Sequence, residues 1–163
     1  TLIASQNPCP CGYYSDPDRE CICTPTQILK YQKRISGPLL DRIDLHIEVP
    51  RVKFEKLTSD QLSEPSEKIS ERVKAARERQ NFRFKNLKIS TNAEMGNKEI
   101  REFCQIDKQT QELLKNAVQQ LKLSARGYHR ILKVSRTIAD LAGVENIELA
   151  HVAEALQYRT KVE

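Results

Sequence analysis

Four of the five cysteines of this chain lie in one stretch, QNPCPCGYYSDPDRECICTP, as two Cys-x-Cys pairs separated by nine residues. Cys9, Cys11, Cys21 and Cys23 could give four thiolates to one tetrahedral Zn²⁺, a closed structural site with no open position for catalysis. The spacing departs from the usual Cys-x2–4-Cys knuckles, and four reduced thiols in a loop are the alternative. Thiol catalysis fits poorly, since no helix N-terminus stands where it would activate one of the sulfurs. No leader pattern is evident, so a reducing setting is expected and a disulfide pairing is demoted. Cys104 follows Phe103 in a helical pattern and is expected in the core.

Arginine is the second residue type with a chemical use. Arg42, in GPLLDRIDL, falls between a helical turn and a strand-like run, where a guanidinium could project from an edge. Arg126, Arg130 and Lys133 recur at i, i+4 and i+7, one face of a helix. Arg126 lies in the first turn of that helix, where the helix dipole disfavours a cation. A cation placed against local preference answers to an external anion, whereas the bland alternative is a solvated or salt-bridged surface. His46 and His129 have no spacing to a cysteine or carboxylate that would make a ligand set or a triad. The glycines, Gly12, Gly37, Gly96, Gly127 and Gly143, are never five apart, so a G-x-x-x-x-G-K-[ST] loop does not occur.

These residues must be held by two unlike parts. All seven prolines lie in the first 65 residues, so only the second part is free to be continuously helical. A boundary is predicted in LTSDQLSE, with domains at 1–57 and 58–163. The first part reads as a strand at 1–5, the cysteine loop, a helix from about Thr24 to Ile35, a turn through SGPLLDR, and a strand in DLHIEVP. There Leu45, Ile47 and Val49 alternate with His46 and Glu48, the period of a half-buried strand. Strand, helix, strand is the order found at the end of an α/β sheet. The second part reads as four or five helices. One starts with Ser66 as its N-cap, NKEIREFC and KQTQELLKNAVQQLKL follow, and a long one runs between Ser124 and Gly143. In the long helix Tyr128, Ile131, Leu132, Ser135, Ile138 and Leu141 are expected to face inward; IELAHVAEALQYR closes the chain. The fold class expected is α+β, mostly α.

Of 163 residues, 39% are hydrophobic and 30% charged, the balance of a globular protein with a real core. No apolar run approaches the roughly 20 residues of a membrane span, so no membrane partner is expected and a cytoplasmic location is. The net charge of +5 and pI near 9.0 are compatible with nucleic-acid contact, though a solvated basic surface explains them as well. The opening TLIAS has a buried-strand pattern with no partner strand before it, and no initiator Met, which predicts a piece of a larger protein.

Taken together, LIASQNPCPCGYY, RISGPLLDRIDLHIEVP, LSARGYHRILKVSRTIADLAG and VAEALQYR resemble the magnesium-chelatase-like AAA+ ATPases of the YifB/ComM competence type. The similarity runs along the whole chain. It implies the end of an AAA+ α/β core followed by a helical lid, beginning after the motifs that cradle the nucleotide. It implies roles as well: Asn7 as sensor 1, Arg42 as the arginine finger reaching a neighbouring subunit's site, Arg126 as sensor 2. Phosphoryl transfer needs such positioned donors and cations against charge on the γ-phosphate. The same resemblance implies ATP with Mg²⁺, a homo-oligomeric ring expected as a hexamer, and DNA as partner through branch migration. The chelatase motor subunits are its cousins, and a helical interaction module with a zinc loop is the non-catalytic alternative. Many competence-type members carry the Cys-Pro-Cys-Gly pair but not all do, which implies a zinc staple rather than a catalytic metal.

Overall fold

The computed structural model describes residues 1–50, 52 and 63–159, which fall into two units. The first holds Thr1–Ile43 together with Glu48–Ser59, and the second Asp44–Ile47 together with Asp60–Glu163. The predicted boundary at 57/58 lies outside the described residues.

In the first unit, helix α1 spans Pro25–Gln32 and α2 is a single turn, Gly37–Leu40. Helix α1 starts where it does for local reasons. The Thr24 hydroxyl accepts the Gln27 N–H at 3.3 Å, the Gln27 side chain accepts the Thr24 N–H at 2.9 Å, and Pro25 occupies the first turn. Neither helix buries a residue. Among the described residues of this unit only Cys9 is buried, at 0% exposure. Its centre is therefore the cysteine loop, because no apolar core is available to serve as one.

Of the expected α+β, mostly α class, the mostly helical part holds; the described residues contain helices and loops, and the strands expected at 1–5 and in DLHIEVP are not among them. Residues 1–5 and 44–50 are irregular, and Leu2, Ile3, Leu45, Ile47 and Val49 are exposed. A period-2 pattern encodes burial against neighbours, and a strand needs a partner to complete its ladder. The described residues supply none.

The second unit is helical: α3 (Ser66–Phe84), a 3₁₀ turn (Asn92–Glu94), α4 (Asn97–Phe103), α5 (Lys108–Gln120), α6 (Ala125–Ala142) and α7 (Leu149–Gln157). Helix α6 is the centre, packing on α7, α3, α4 and the 3₁₀ turn. Its ends are set by the predicted residues. The Ser124 hydroxyl accepts the Gly127 N–H at 3.0 Å, and Gly143 closes the helix at φ 80°. Helix α3 differs: its N-cap is Pro65, with Ser66 as first helical residue and no side-chain cap. The core gathers Phe84, Met95, Ile100, Cys104, Leu114, Ile131, Leu132, Ala139, Ile147, Val152 and Ala155. Cys104 is thus a core residue, and burial pushes its thiol up to about 11. No helix among the described residues is long and apolar enough to cross a membrane.

One predicted inward residue of α6 is not inward: Leu141 is 47% exposed, while its neighbour Asp140 is 1% exposed. Arg83 forks onto both Asp140 carboxylate oxygens, Asn92 Nδ2 donates to Asp140 Oδ2 at 2.8 Å, and Arg136 Nη2 lies 3.2 Å from Oδ1. Arg136 also donates to the carbonyls of Val144, at 2.9 Å, and Glu145, pinning the loop after the helix. Burial alone would raise the Asp140 carboxyl, but its bonds to Arg83 and Asn92 hold it below the ordinary carboxylate range. That stabilisation is complete above the unfolded carboxyl's pKa and is lost as pH falls through the folded one. Asp140→Ala leaves Arg136 buried without its counter-charge and is expected to cost about 3–5 kcal/mol. A urea melt followed by circular dichroism reads this as a lower midpoint, and an unchanged midpoint would show the network to be dispensable.

Candidate functional site

The four cysteines converge. Their sulfurs lie within 4.8 Å of one another, with Cys9–Cys11 at 3.3 Å, Cys11–Cys21 at 3.5 Å and Cys9–Cys21 at 3.7 Å. A tetrahedral cation with Zn–S bonds of about 2.3 Å sets sulfurs about 3.8 Å apart, so Cys9, Cys11 and Cys21 stand slightly closer than zinc needs, while the four together span no more than 4.8 Å. No two sulfurs are bonded, since all five cysteines are free.

Local chemistry builds this cage. Gly12 N–H donates to Cys9 O at 3.0 Å, closing a turn whose last residue stands at φ +85°, a conformation glycine adopts without strain. Asp16 Oδ1 then accepts the N–H groups of Asp18 at 2.8 Å and Arg19 at 3.0 Å, and this turn leads the chain back toward Cys21. Arg19 lies over the Tyr13 ring, 3.9 Å from its centroid. Cys23 directly precedes the Thr24 cap of α1, and Gln32 Nε2 donates to Pro8 O at 3.2 Å, so both ends of α1 are tied to the loop.

The thiols are electrostatically unequal. The Tyr13 N–H aimed at Cys11 favours its thiolate, which is lowered to about 6. Burial and Cys11 push Cys9 up, yet the N–H groups of Tyr14 and Gly12 and the Cys21 thiol bring it below its ordinary value. Cys21 has the Cys23 N–H in its favour, but burial and the Cys11 and Cys9 sulfurs push it up to about 12. Burial raises Cys23, as do the same two sulfurs. Four thiolates at this spacing need a cation among them.

Asn7, two residues ahead of Cys9, is exposed, and its Nδ2 lies 3.8 Å from where a Cβ on Gly12 would stand. It therefore rests beside the cysteine turn. Arg42 is exposed just past α2, its N–H donating to Leu39 O at 2.9 Å and its Nη1 to Pro38 O at 3.3 Å. The helical turn before Arg42 is present, while the strand expected after it is not.

Arg126 belongs to the other unit. It is exposed in the first turn of α6 and opens on a recess of about 430 Å³ with Asn97, His129, Arg130 and Lys133. The predicted cationic face is thus formed, and His129, set aside in the sequence reading, lines the same recess. Lys133 Nζ donates to Ala93 O at 2.8 Å, and burial, then the Arg130 charge, lowers its pKa. Arg130 Nη1 pairs with Asp44, 86 residues away in sequence. Nothing in the sequence pattern points to that pair, because charge complementarity at such a separation has no periodic signature.

The family described as magnesium chelatase, subunit ChlI C-terminal, matches residues 63–159. The chain belongs to this magnesium chelatase family. Residues 1–57 match the family described as magnesium chelatase, subunit ChlI. Competence protein ComM of Haemophilus influenzae is 44% identical over 163 residues, covering 99% of this chain and 31% of that protein. The protein YifB of Escherichia coli strain K12 is 40% identical over 159 residues, covering 97% of this chain and 30% of that protein. YifB of Salmonella typhimurium is 40% identical over 160 residues, covering 97% and 30%. The chain is thus a magnesium-chelatase-like member of the ComM and YifB group, spanning about 31% of the length of ComM.

Proposed function

We propose that this chain is the C-terminal part of a ring-forming, cytoplasmic AAA+ ATPase that couples ATP hydrolysis to DNA remodelling of the branch-migration kind. The observation that carries the reading is Arg126: an exposed cation in the first turn of α6, opening on a polar recess where an anion relieves an otherwise unfavourable placement. In this reading Arg126 meets nucleotide phosphate as sensor 2. Arg42 is the finger, its planar fork of donors set against charge that develops on the γ-phosphate. Asn7 orients the attacking water. Most contacts to ATP and Mg²⁺ are made by parts of the whole protein that this chain does not include. The four-cysteine cage holds one structural Zn²⁺, which leaves no coordination position for substrate. DNA as partner draws support from the 44% identity to a protein named for competence and from the +5 charge.

The family description itself favours a second reading, a motor subunit of a chelatase-type complex acting on a protein partner. Full-length protein separates the two. ATP turnover is expected to rise severalfold with branched DNA, measured against linear duplex of equal length; turnover indifferent to DNA would favour the chelatase-type motor.

A further inference from the structure

The basic charge of the chain is not spread evenly. Between positions 77 and 88, Arg77, Arg79, Arg83, Lys85 and Lys88 stand against one carboxylate, Glu78, a net +4 of the chain's +5. Arg83 is neutralised by Asp140 inside the helical unit, while Arg77, Arg79, Lys85 and Lys88 are exposed. The dipole of α3 favours cations at its C-terminal end, so charge alone would describe a solvated helix end. It does not account for the aromatic ring that stands among those charges.

Phe82, in the last turn of α3, is 75% exposed, although a Phe ring is one of the largest apolar surfaces a core can take up. Its neighbours fix its outward direction. Phe84 is buried edge-on to Phe103, with ring centroids 5.6 Å apart, and Arg83 forks onto Asp140. Two residues along a helix turn by about 200°, so with Phe84 inward Phe82 points to water. The Leu87 N–H donates to Phe84 O at 2.8 Å, closing the turn through Lys85 just ahead of Lys88. Lys85 Nζ stands 5.0 Å from the Phe82 ring centroid, and Arg79, three residues earlier, shares that side of the helix. All of these residues belong to the helical unit.

We propose that this end of α3 is a contact surface for single-stranded DNA, in which an unpaired base stacks on Phe82 and the surrounding cations meet backbone phosphates. The inference rests on the DNA reading of the whole protein and names a place where a strand is held. An exposed ring among cations is what a single strand needs, since every base has a π face and every nucleotide brings a phosphate charge. An acidic protein surface would meet the cations but offer nothing to stack on the ring. In a duplex the bases stack on one another, so only opened DNA presents a free face to Phe82.

The test is fluorescence anisotropy of the full-length protein with labelled oligo(dT) and with duplex of equal length. Phe82→Ala is expected to weaken oligo(dT) binding about tenfold, which is ~1.4 kcal/mol, within the range for one base on an aromatic ring. Duplex binding and melting temperature should not change. Phe82→Tyr keeps the ring and should bind as wild type does, whereas Phe82→Leu keeps only apolar bulk and should lose as much as Phe82→Ala. Lys85→Gln combined with Lys88→Gln should flatten the dependence of log affinity on log salt by about 0.7 for each lysine. Wild-type affinity in Phe82→Ala, recovery in Phe82→Leu, an equal loss on duplex, or an unchanged salt slope in the lysine variant would each overturn the inference. If the wild-type protein binds neither DNA, the DNA reading fails and this inference with it. If it binds oligo(dT) and Phe82→Ala binds equally well, only this surface fails.

Discussion

Arg42→Ala in the full-length protein is expected to lower ATP turnover about 10³-fold or more, the range over which an arginine finger acts in phosphoryl transfer. Assembly and nucleotide affinity should survive, because Arg42 is exposed and its Nη1 donates to the Pro38 carbonyl one helical turn back. An ordinary surface arginine would behave differently, shifting stability by about 0.5 kcal/mol or less and turnover hardly at all. Arg42→Lys sharpens the contrast. It keeps the positive charge but loses the rigid fork of donors, so a finger role predicts a large loss there too. Light scattering on the purified variant must show the same particle mass as wild type. Turnover that persists in an assembled Arg42→Ala ring would leave the helical interaction module with a zinc loop as the better reading.

What could be read from sequence here was what local chemistry decides. Ser124 and Gly143 bound α6 because a hydroxyl cap and a left-handed closing residue act within a few residues of themselves. Thr24, Pro25 and Gln27 start α1 in the same way. The cysteine cage was legible because four thiols in one loop have few other uses. The i, i+4, i+7 spacing likewise brings Arg126, Arg130 and Lys133 to one recess. What failed depended on distant partners. The alternation of Leu45, Ile47 and Val49 reports burial that the described residues do not supply. Asp140 was passed over for Leu141 because apolar periodicity has no way to mark a buried carboxylate. Its partners Arg83 and Asn92 stand 57 and 48 residues away. Asp44 was missed for the same reason, its partner lying across the sequence on α6.

The cysteine cage carries the second large effect. The purified protein is expected to hold about one zinc per chain by metal analysis, and Cys9→Ser or Cys21→Ser should abolish it. Cys104→Ser should not, because that thiol is buried in the helical core, apart from the cage. The consequence for folding is disproportionate to the size of the loop. The first unit buries only Cys9 among its described residues, so little apolar burial is available to hold α1 in place when the cation leaves. Structural zinc sites of this kind contribute about 10–16 kcal/mol of binding free energy that acts as folding free energy. Protons compete for the same thiolates, so the metal should be released as pH falls. Chelation should therefore expose the stretch from Asn7 through α1 to hydrogen exchange and proteolysis while the helical unit stays protected, since its core is apolar and independent of the thiols. A metal-free protein with that stretch still protected would show that hydrogen bonds such as Gln32 to Pro8 suffice, and the staple would have to be given up.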